Sequence, residues 1–384
     1  MNCIFKLIKY SLIVLIFPSI IAAQGVGKGT RFDLTSKLNL TSGQFAQLFI
    51  PDYYVKPADD SIMLVFHFHS ASWAAEDQVY KSRVNAVLFN IHLGGLSSPY
   101  QNYFTTQTNF QKILDTCLSV IKTNGVIPNP KIKYLILSSF SAGYAGVREI
   151  FKNTSYYNKI NALTLADGLH SNSDPGTMAT QMKDFLQFAK DARDKKKIMI
   201  LTHSSIPTSG YESTTKTADY LISGIGASRV NFSAFDEIGN QTSKCDTGYF
   251  RLKGYTGQTA DDHMKHLYAM NKMLEQVIAI LNISTTDVAD EISTQKTFIL
   301  YQNFPNPFNG ETSIKYSVLS RERITLRIYD VLGREIAALV DEVKEAGSYN
   351  VTWKIENGKF TSGIFFYQLR SGSFVEMKKM ILLK

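Results

Sequence analysis

The chain reads as an α/β protein, a mostly parallel sheet with helices on both faces, followed by a small all-β sandwich. Three observations carry that reading. Unbroken apolar runs alternate with helical patterns between about residues 31 and 281, as expected of strands buried on both faces. One of these runs, Tyr134–Ser138, passes straight into a helical pattern through Ser139-Phe140-Ser141-Ala142-Gly143. From about Phe298 the rhythm changes to short alternating strands separated by turn residues.

The first segment has the pattern of an export signal. Lys6 and Lys9 precede the apolar stretch Ser11–Ile21, and Ala22-Ala23 supplies a small-residue cleavage point before Gln24. The apolar core is too short for a stable membrane anchor, and no later segment approaches a spanning length. The expected organisation is a signal peptide at 1–23, an α/β domain at 24–283, a polar linker at 284–297 and a β-sandwich at 298–384. Cys3 leaves with the signal. Cys117 falls on the apolar face Phe110, Ile113, Leu114, Val120, Ile121, where a buried free thiol is the default; export would permit a disulfide to Cys245. The formal net charge is +8, but the basic residues are scattered. Lys195-Lys196-Lys197 reads as a solvated turn, so nucleic-acid binding is not expected.

Strands are expected at Met63–Phe68, Ala86–Ile91, Tyr134–Ser138, Ala162–Ala166 and Ile198–Leu201, with weaker signals at Val230–Phe235 and Tyr249–Tyr255. Phe45–Tyr54 with its Pro51 reads as an antiparallel entry strand. Helical patterns fall at Asn109–Thr123, Ala142–Lys152, Met178–Asp194, Thr214–Ile222 and Met264–Leu281. In an open sheet of this kind, ligands bind beyond the carboxyl ends of the strands. Polar residues just after an apolar run are therefore the candidates: His67, His69, Ser70, His92, Ser141, Asp167, His170, His203, Ser204, Asp261, Asp262 and His263. His67 and His69 alternate along one strand, but no third ligand joins them at a convincing spacing, so no metal and no cofactor are expected.

Strand, serine and helix in that order form a nucleophile elbow, which holds the hydroxyl above the sheet and needs small residues on both sides. Gly143 fills the second small position, while Ser139 stands where the G-x-S-x-G pattern has its first glycine. The competing reading is that Ser138, Ser139 and Ser141 cap the helix. Over roughly 230 residues the domain resembles the α/β-hydrolase superfamily on its esterase side, whose triad runs serine, acid, histidine along the chain. The resemblance implies Ser141 as nucleophile, His263 as base and Asp167 as acid. Ala142 and the loop His69-Ser70-Ala71 would supply oxyanion donors, and His170 and His203 would line the pocket. Many members carry the acid one strand later, where this chain has only Thr202-His203-Ser204-Ser205, and Asp236 or Glu237 is the reserve. His263 is also readable as the start of a helix, and Asp167 as a turn residue orienting Gly168–Pro175. Trp73, Tyr100, Tyr103, Tyr211 and Tyr255 read as a sugar platform or as loop packing.

The C-terminal segment carries Leu300-Tyr301-Gln302-Asn303-Phe304-Pro305-Asn306-Pro307-Phe308-Asn309, then Ile328-Tyr329-Asp330-Val331-Leu332-Gly333-Arg334-Glu335, then Gly363-Ile364-Phe365-Phe366-Tyr367 before a basic, apolar end. In that order these resemble the C-terminal sorting domain of the bacterial type IX secretion system. The resemblance implies passage through the outer membrane by that machinery, then release or attachment at the cell surface. A carbohydrate-binding sandwich is the competing reading, disfavoured by the single Trp353 in this segment. Together the two resemblances imply a secreted serine hydrolase acting on a carboxylic ester, on a small molecule or an acylated polysaccharide. A serine peptidase and a surface binding protein that has lost the chemistry are the alternatives.

Overall fold

The computed structural model describes residues 27–282 and 299–383, apart from 304–305, 319, 332, 356–359 and 373. The expected signal peptide and linker lie outside the described residues. The chain divides into two compact units, Met1–Thr286 and Asp287–Lys384.

The first unit runs β1 (Gly29–Asp33), β2 (Phe45–Pro51), β3 (Ser61–Phe68), α1 (Ser72–Ser82), β4 (Val87–His92), α2 (Ser97–Thr105), α3 (Thr108–Thr123), β5 (Lys131–Phe140), α4 (Tyr144–Phe151), α5 (Thr154–Lys159), β6 (Ala162–Ala166), α6 (Pro175–Arg193), β7 (Ile198–His203), α7 (Thr214–Gly224), β8 (Val230–Phe235), β9 (Asn240–Thr247), β10 (Phe250–Tyr255), α8 (Ala260–Tyr268) and α9 (Met270–Leu281). Its strands form one sheet in the order β1-β2-β4-β3-β5-β6-β7-β10-β9-β8. β2 is antiparallel to both its neighbours, and β4, β3, β5, β6, β7 and β10 run parallel. The hairpin β8–β9 extends the far edge antiparallel. Without that hairpin, the sheet is six parallel strands edged by β2 and β1.

Alternation along each strand feeds two cores. Leu64, Phe66, Leu137 and Leu163 face the side that buries Phe110 and Cys117 of α3, Ile150 of α4 and Phe185 of α6. Val65, Leu88, Ile136 and Ala162 face the side covered by Ala75 and Val79 of α1 and by Met270, Leu274 and Val277 of α9. Cys117 and Cys245 are both buried and free, so no bridge staples the sheet.

Three differences from the sequence reading bear on the site. α1 and α2, which lack a strong apolar stripe, were not foreseen, and they carry the segments just beyond β3 and β4. The pattern expected as one helix over Met264–Leu281 is two, α8 and α9, meeting at Ala269 (φ −107°). Strand β9, polar at most positions, also escaped notice.

The second unit packs the sheet β11 (Ile299–Leu300), β12 (Glu311–Val318), β15 (Gly347–Lys354) and the sheet β14 (Glu335–Lys344), β13 (Glu322–Tyr329), β16 (Gly363–Ser371), β17 (Phe374–Leu382), all pairings antiparallel. Ile314, Tyr316, Leu326, Ile328, Tyr367, Leu369 and Leu382 share its core. Trp353 is buried in the same core, so it is not a sugar-binding surface. Among the described residues no helix is long and apolar enough to cross a membrane.

Candidate active site

β5 delivers Ser141 at the carboxyl edge of the sheet, where a single 3-10 turn, Ser141–Gly143, leads into α4. Ser141 has φ +47°, a left-handed conformation that costs a non-glycine residue energy and persists only where its surroundings enforce it. Two glycines do so. A Cβ on Gly143 would stand 2.6 Å from Phe68 Cβ and 2.8 Å from the Phe68 carbonyl oxygen. A Cβ on Gly168 would stand 2.4 Å from the Ser141 nitrogen. Helix capping does not describe this turn, since no side-chain cap bond is made there. Ser139, in the first small position, fits without glycine but is fully buried with its hydroxyl unpaired.

Asp167 ends β6 and also takes a left-handed conformation, φ +42°. Its Oδ2 lies 2.7 Å from His263 Nδ1. Its Oδ1 accepts from the Ser204 amide at 2.8 Å and from Thr214 Oγ1 at 2.7 Å. Burial by itself would raise this carboxyl's pKa, but the bonds from His263 and Ser204 outweigh it and hold the group well below the usual carboxylate range. His263 lies in the first turn of α8, its amide bonded to the Thr259 carbonyl at 3.0 Å and the helix start fixed by a Thr259–Asp262 capping box. His263 thus stands at a helix start, as the alternative reading has it, and that helix start faces Asp167. The imidazole packs on Phe140, the residue before Ser141, with ring centroids 4.5 Å apart. With Nδ1 directed to Asp167, Nε2 is the ring nitrogen left for proton transfer. Asp236 is bound instead by Tyr255 at 2.8 Å, and Glu237 is exposed.

Ala142 sits at the start of the 3-10 turn, where amides have no partner within the helix. The loop expected to offer a second donor is used differently along its length. The His69 amide is taken by the Ile91 carbonyl at 3.1 Å, and its ring bonds the Tyr100 hydroxyl at 3.0 Å. That leaves the amides of Ser70 and Ala71; Asn90 donates to the Ser70 hydroxyl at 3.4 Å. His170 bonds the Glu212 carbonyl at 3.0 Å and packs edge-on against Tyr144 and Tyr211. His203 is not a lining residue: it is buried, and its Nε2 accepts from Arg229 at 2.8 Å while Nδ1 meets the Ser204 carbonyl at 2.9 Å. His266, three residues beyond His263, faces inward and not solvent: it is buried against Thr202 and Tyr255, and burial lowers its pKa to about 4. His67 is buried with Nδ1 on Ser138 at 3.0 Å. Of the aromatics read as a sugar platform or packing, Trp73 and Tyr211 are exposed, whereas Tyr100 and Tyr255 are buried.

Sequence reasoning missed Thr214. Its place as the first residue of a helix two strands away from any motif gave no signal.

Comparison with known proteins bears chiefly on the second unit. Residues 302–383 match the family model of the secretion system C-terminal sorting domain. This sorting domain implies export, to the cell surface or beyond it. The chain is also similar to dimeric latent PorU from Porphyromonas gingivalis, at 18% identity over 23% of this chain and 9% of that chain, TM-score 0.19. The first unit is similar to a monoglyceride lipase from Saccharomyces cerevisiae (10% identity, 67% of this chain and 98% of that one, TM-score 0.34). It is also similar to a cold-adapted esterase from an Arctic intertidal metagenomic library (14%, 64% and 92%, TM-score 0.36) and to the siderophore hydrolase EstB from Aspergillus nidulans (8%, 67% and 96%, TM-score 0.37). No curated protein matches the chain.

Proposed function

We propose that the exported chain is a serine hydrolase that cleaves a carboxylic ester, with Ser141 as nucleophile, His263 as base and Asp167 as the acid that orients it. The Asp167–His263 contact at 2.7 Å, beside the strained Ser141 turn, is the observation that carries this reading. A serine hydroxyl is too weakly acidic to attack an ester unaided. His263 Nε2 takes the Ser141 proton as Oγ bonds the carbonyl carbon, while the carboxylate fixes the tautomer and stabilises the imidazolium. The amides of Ala142 and Ser70 receive the oxyanion, a kind of contact worth about 3 kcal/mol in the barrier. Collapse of the tetrahedral adduct breaks the bond to the alcohol, which leaves with the proton from His263. Water, deprotonated by His263, then releases the acid and restores Ser141. An acylated polysaccharide suits an exported enzyme of this kind.

Fluorophosphonate labelling together with hydrolysis of a short p-nitrophenyl ester tests the assignment. Both are expected in the native chain and absent in Ser141→Ala, with the fold kept. An unlabelled native chain without turnover would favour a surface binding protein, and full activity in Ser141→Ala would remove the nucleophile.

A further inference from the structure

Arg148 is a buried cation that no carboxylate pairs directly; Glu149 acts on it only at a distance. The arginine lies on α4, seven residues beyond Ser141, and is 9% exposed. Among the described residues no ion pair reaches it; the neighbouring Glu149 is held by Lys152 at 2.7 Å. Its Nη2 donates to the His170 carbonyl, its guanidinium carbon lies 5.0 Å from the centroid of the Tyr144 ring, and its Nε is sealed from solvent with no partner.

The position is set by helix geometry. Long helical side chains lean toward the N-terminus, over the preceding turn. The Tyr144 contact shows that this one does, which places the charge beside the first turn after Ser141 rather than two turns away. His170, whose carbonyl it bonds, belongs to the loop that leaves Asp167. His170 and Tyr144 pack edge-on at 5.5 Å, and His170 meets the exposed Tyr211 at 5.1 Å. The guanidinium thus sits at the inner end of an aromatic wall that reaches the surface beside the Asp167–His263 pair.

Arginine stays charged at any ordinary pH and carries five N–H donors. Burying a charge without a directly paired counter-charge is costly. The His170 carbonyl and the Tyr144 hydroxyl engage the guanidinium, contacts that a neutral side chain could also make, while Nε stays without a partner. We propose that Arg148 recognises a carboxylate on the substrate, so that the Ser141 centre prefers esters that also carry a free carboxylate. The inference rests on the esterase reading of Ser141, and its test separates the two.

Kinetically, p-nitrophenyl hydrogen glutarate is compared with p-nitrophenyl valerate, which lacks the second carboxylate. The native chain should favour the charged ester in kcat/KM, and Arg148→Gln should cut that charged-to-neutral ratio by at least about tenfold, with Arg148→Lys in between. A ratio unchanged in either variant overturns the proposal. Calorimetric titration of glutarate needs no turnover: Ser141→Ala should bind it, and Ser141→Ala/Arg148→Lys should bind it measurably more weakly. Equal affinities in the two overturn the proposal even where turnover is seen, and absent turnover with the expected loss of affinity sinks only the esterase reading. Should Arg148→Gln not fold, Arg148→Lys decides both arms.

Discussion

Asp167 Oδ2 meets His263 Nδ1 at 2.7 Å, while its other oxygen is shared between the Ser204 amide and the Thr214 hydroxyl. Three bonds thus fix the carboxylate, and the imidazole follows the orientation they set. If that orientation is what the reaction needs, Asp167→Asn should lower kcat by roughly 10⁴-fold with little change in KM, because it disturbs the tautomer rather than binding. Asp236→Asn, whose carboxylate serves Tyr255 and Lys253, should retain near-normal kcat. Steady-state kinetics of the two variants decide the acid, and the reverse pattern would move the assignment to Asp236.

The same carboxylate predicts how stability varies with acid. Its folded pKa is depressed below the ordinary value, so its contribution is fully present above about pH 4 and is lost as pH falls toward the folded value. Urea melts between pH 5 and pH 2 should show native stability falling through this window. Asp167→Asn should show a shallower fall, since it has no such proton to take up. Parallel curves would mean that Asp167 is not held ionised by its partners.

Thr214 is a positioning residue for Asp167, and its effect should be graded by chemistry. Thr214→Val keeps shape but removes the donor, and losing a hydrogen bond to a charged group costs about 1.5–3 kcal/mol. Thr214→Ser keeps the donor and should recover most of that. A role in packing alone would leave kcat per folded molecule unchanged. Loss of the bond should instead lower kcat with little change in KM in Thr214→Val but not in Thr214→Ser, because the carboxylate then orients His263 less firmly.

The parallel strands were legible because burial on both faces leaves unbroken apolar runs, as in Ala162–Ala166. The polar residues at their ends followed from the topology. What escaped the sequence lacked a one-dimensional signal. β9 alternates exposed and buried polar residues, with Gln241 and Ser243 inside. β14 has the near-helical spacing of Glu335–Lys344 and is held as a strand by its pairing with β13 across two bulges. The pocket role expected of His203 failed because its partner, Arg229, is distant in sequence. Thr214 joins Asp167 across 47 residues, a separation that no local pattern encodes.

Gly143 should be intolerant of any side chain. An added Cβ would stand within 3 Å of Phe68 Cβ, the Phe68 carbonyl oxygen and Ser139 Oγ, all but the last on the rigid end of β3. Overpacking of this kind costs about 1–3 kcal/mol, and relief requires the turn that carries Ser141 to move. Gly143→Ala is therefore expected to lose activity out of proportion to its drop in melting temperature. Activity falling only as far as the folded fraction falls would show that the turn geometry is not used.

Each unit has its own hydrophobic core, so cutting the chain at Thr294 should separate export from chemistry. Residues 24–294 should fold, and should hydrolyse a short p-nitrophenyl ester at the rate of the full chain. The sorting domain matched over 302–383 is then absent, and the truncated chain should accumulate inside the outer membrane when expressed in a bacterium with a type IX system. Fractionation with activity assays on medium, surface and periplasm reads both outcomes at once. Surface display of the truncated chain would contradict the sorting role. Loss of activity in a folded truncation would mean that the C-terminal unit contributes to the hydrolase and is more than an address.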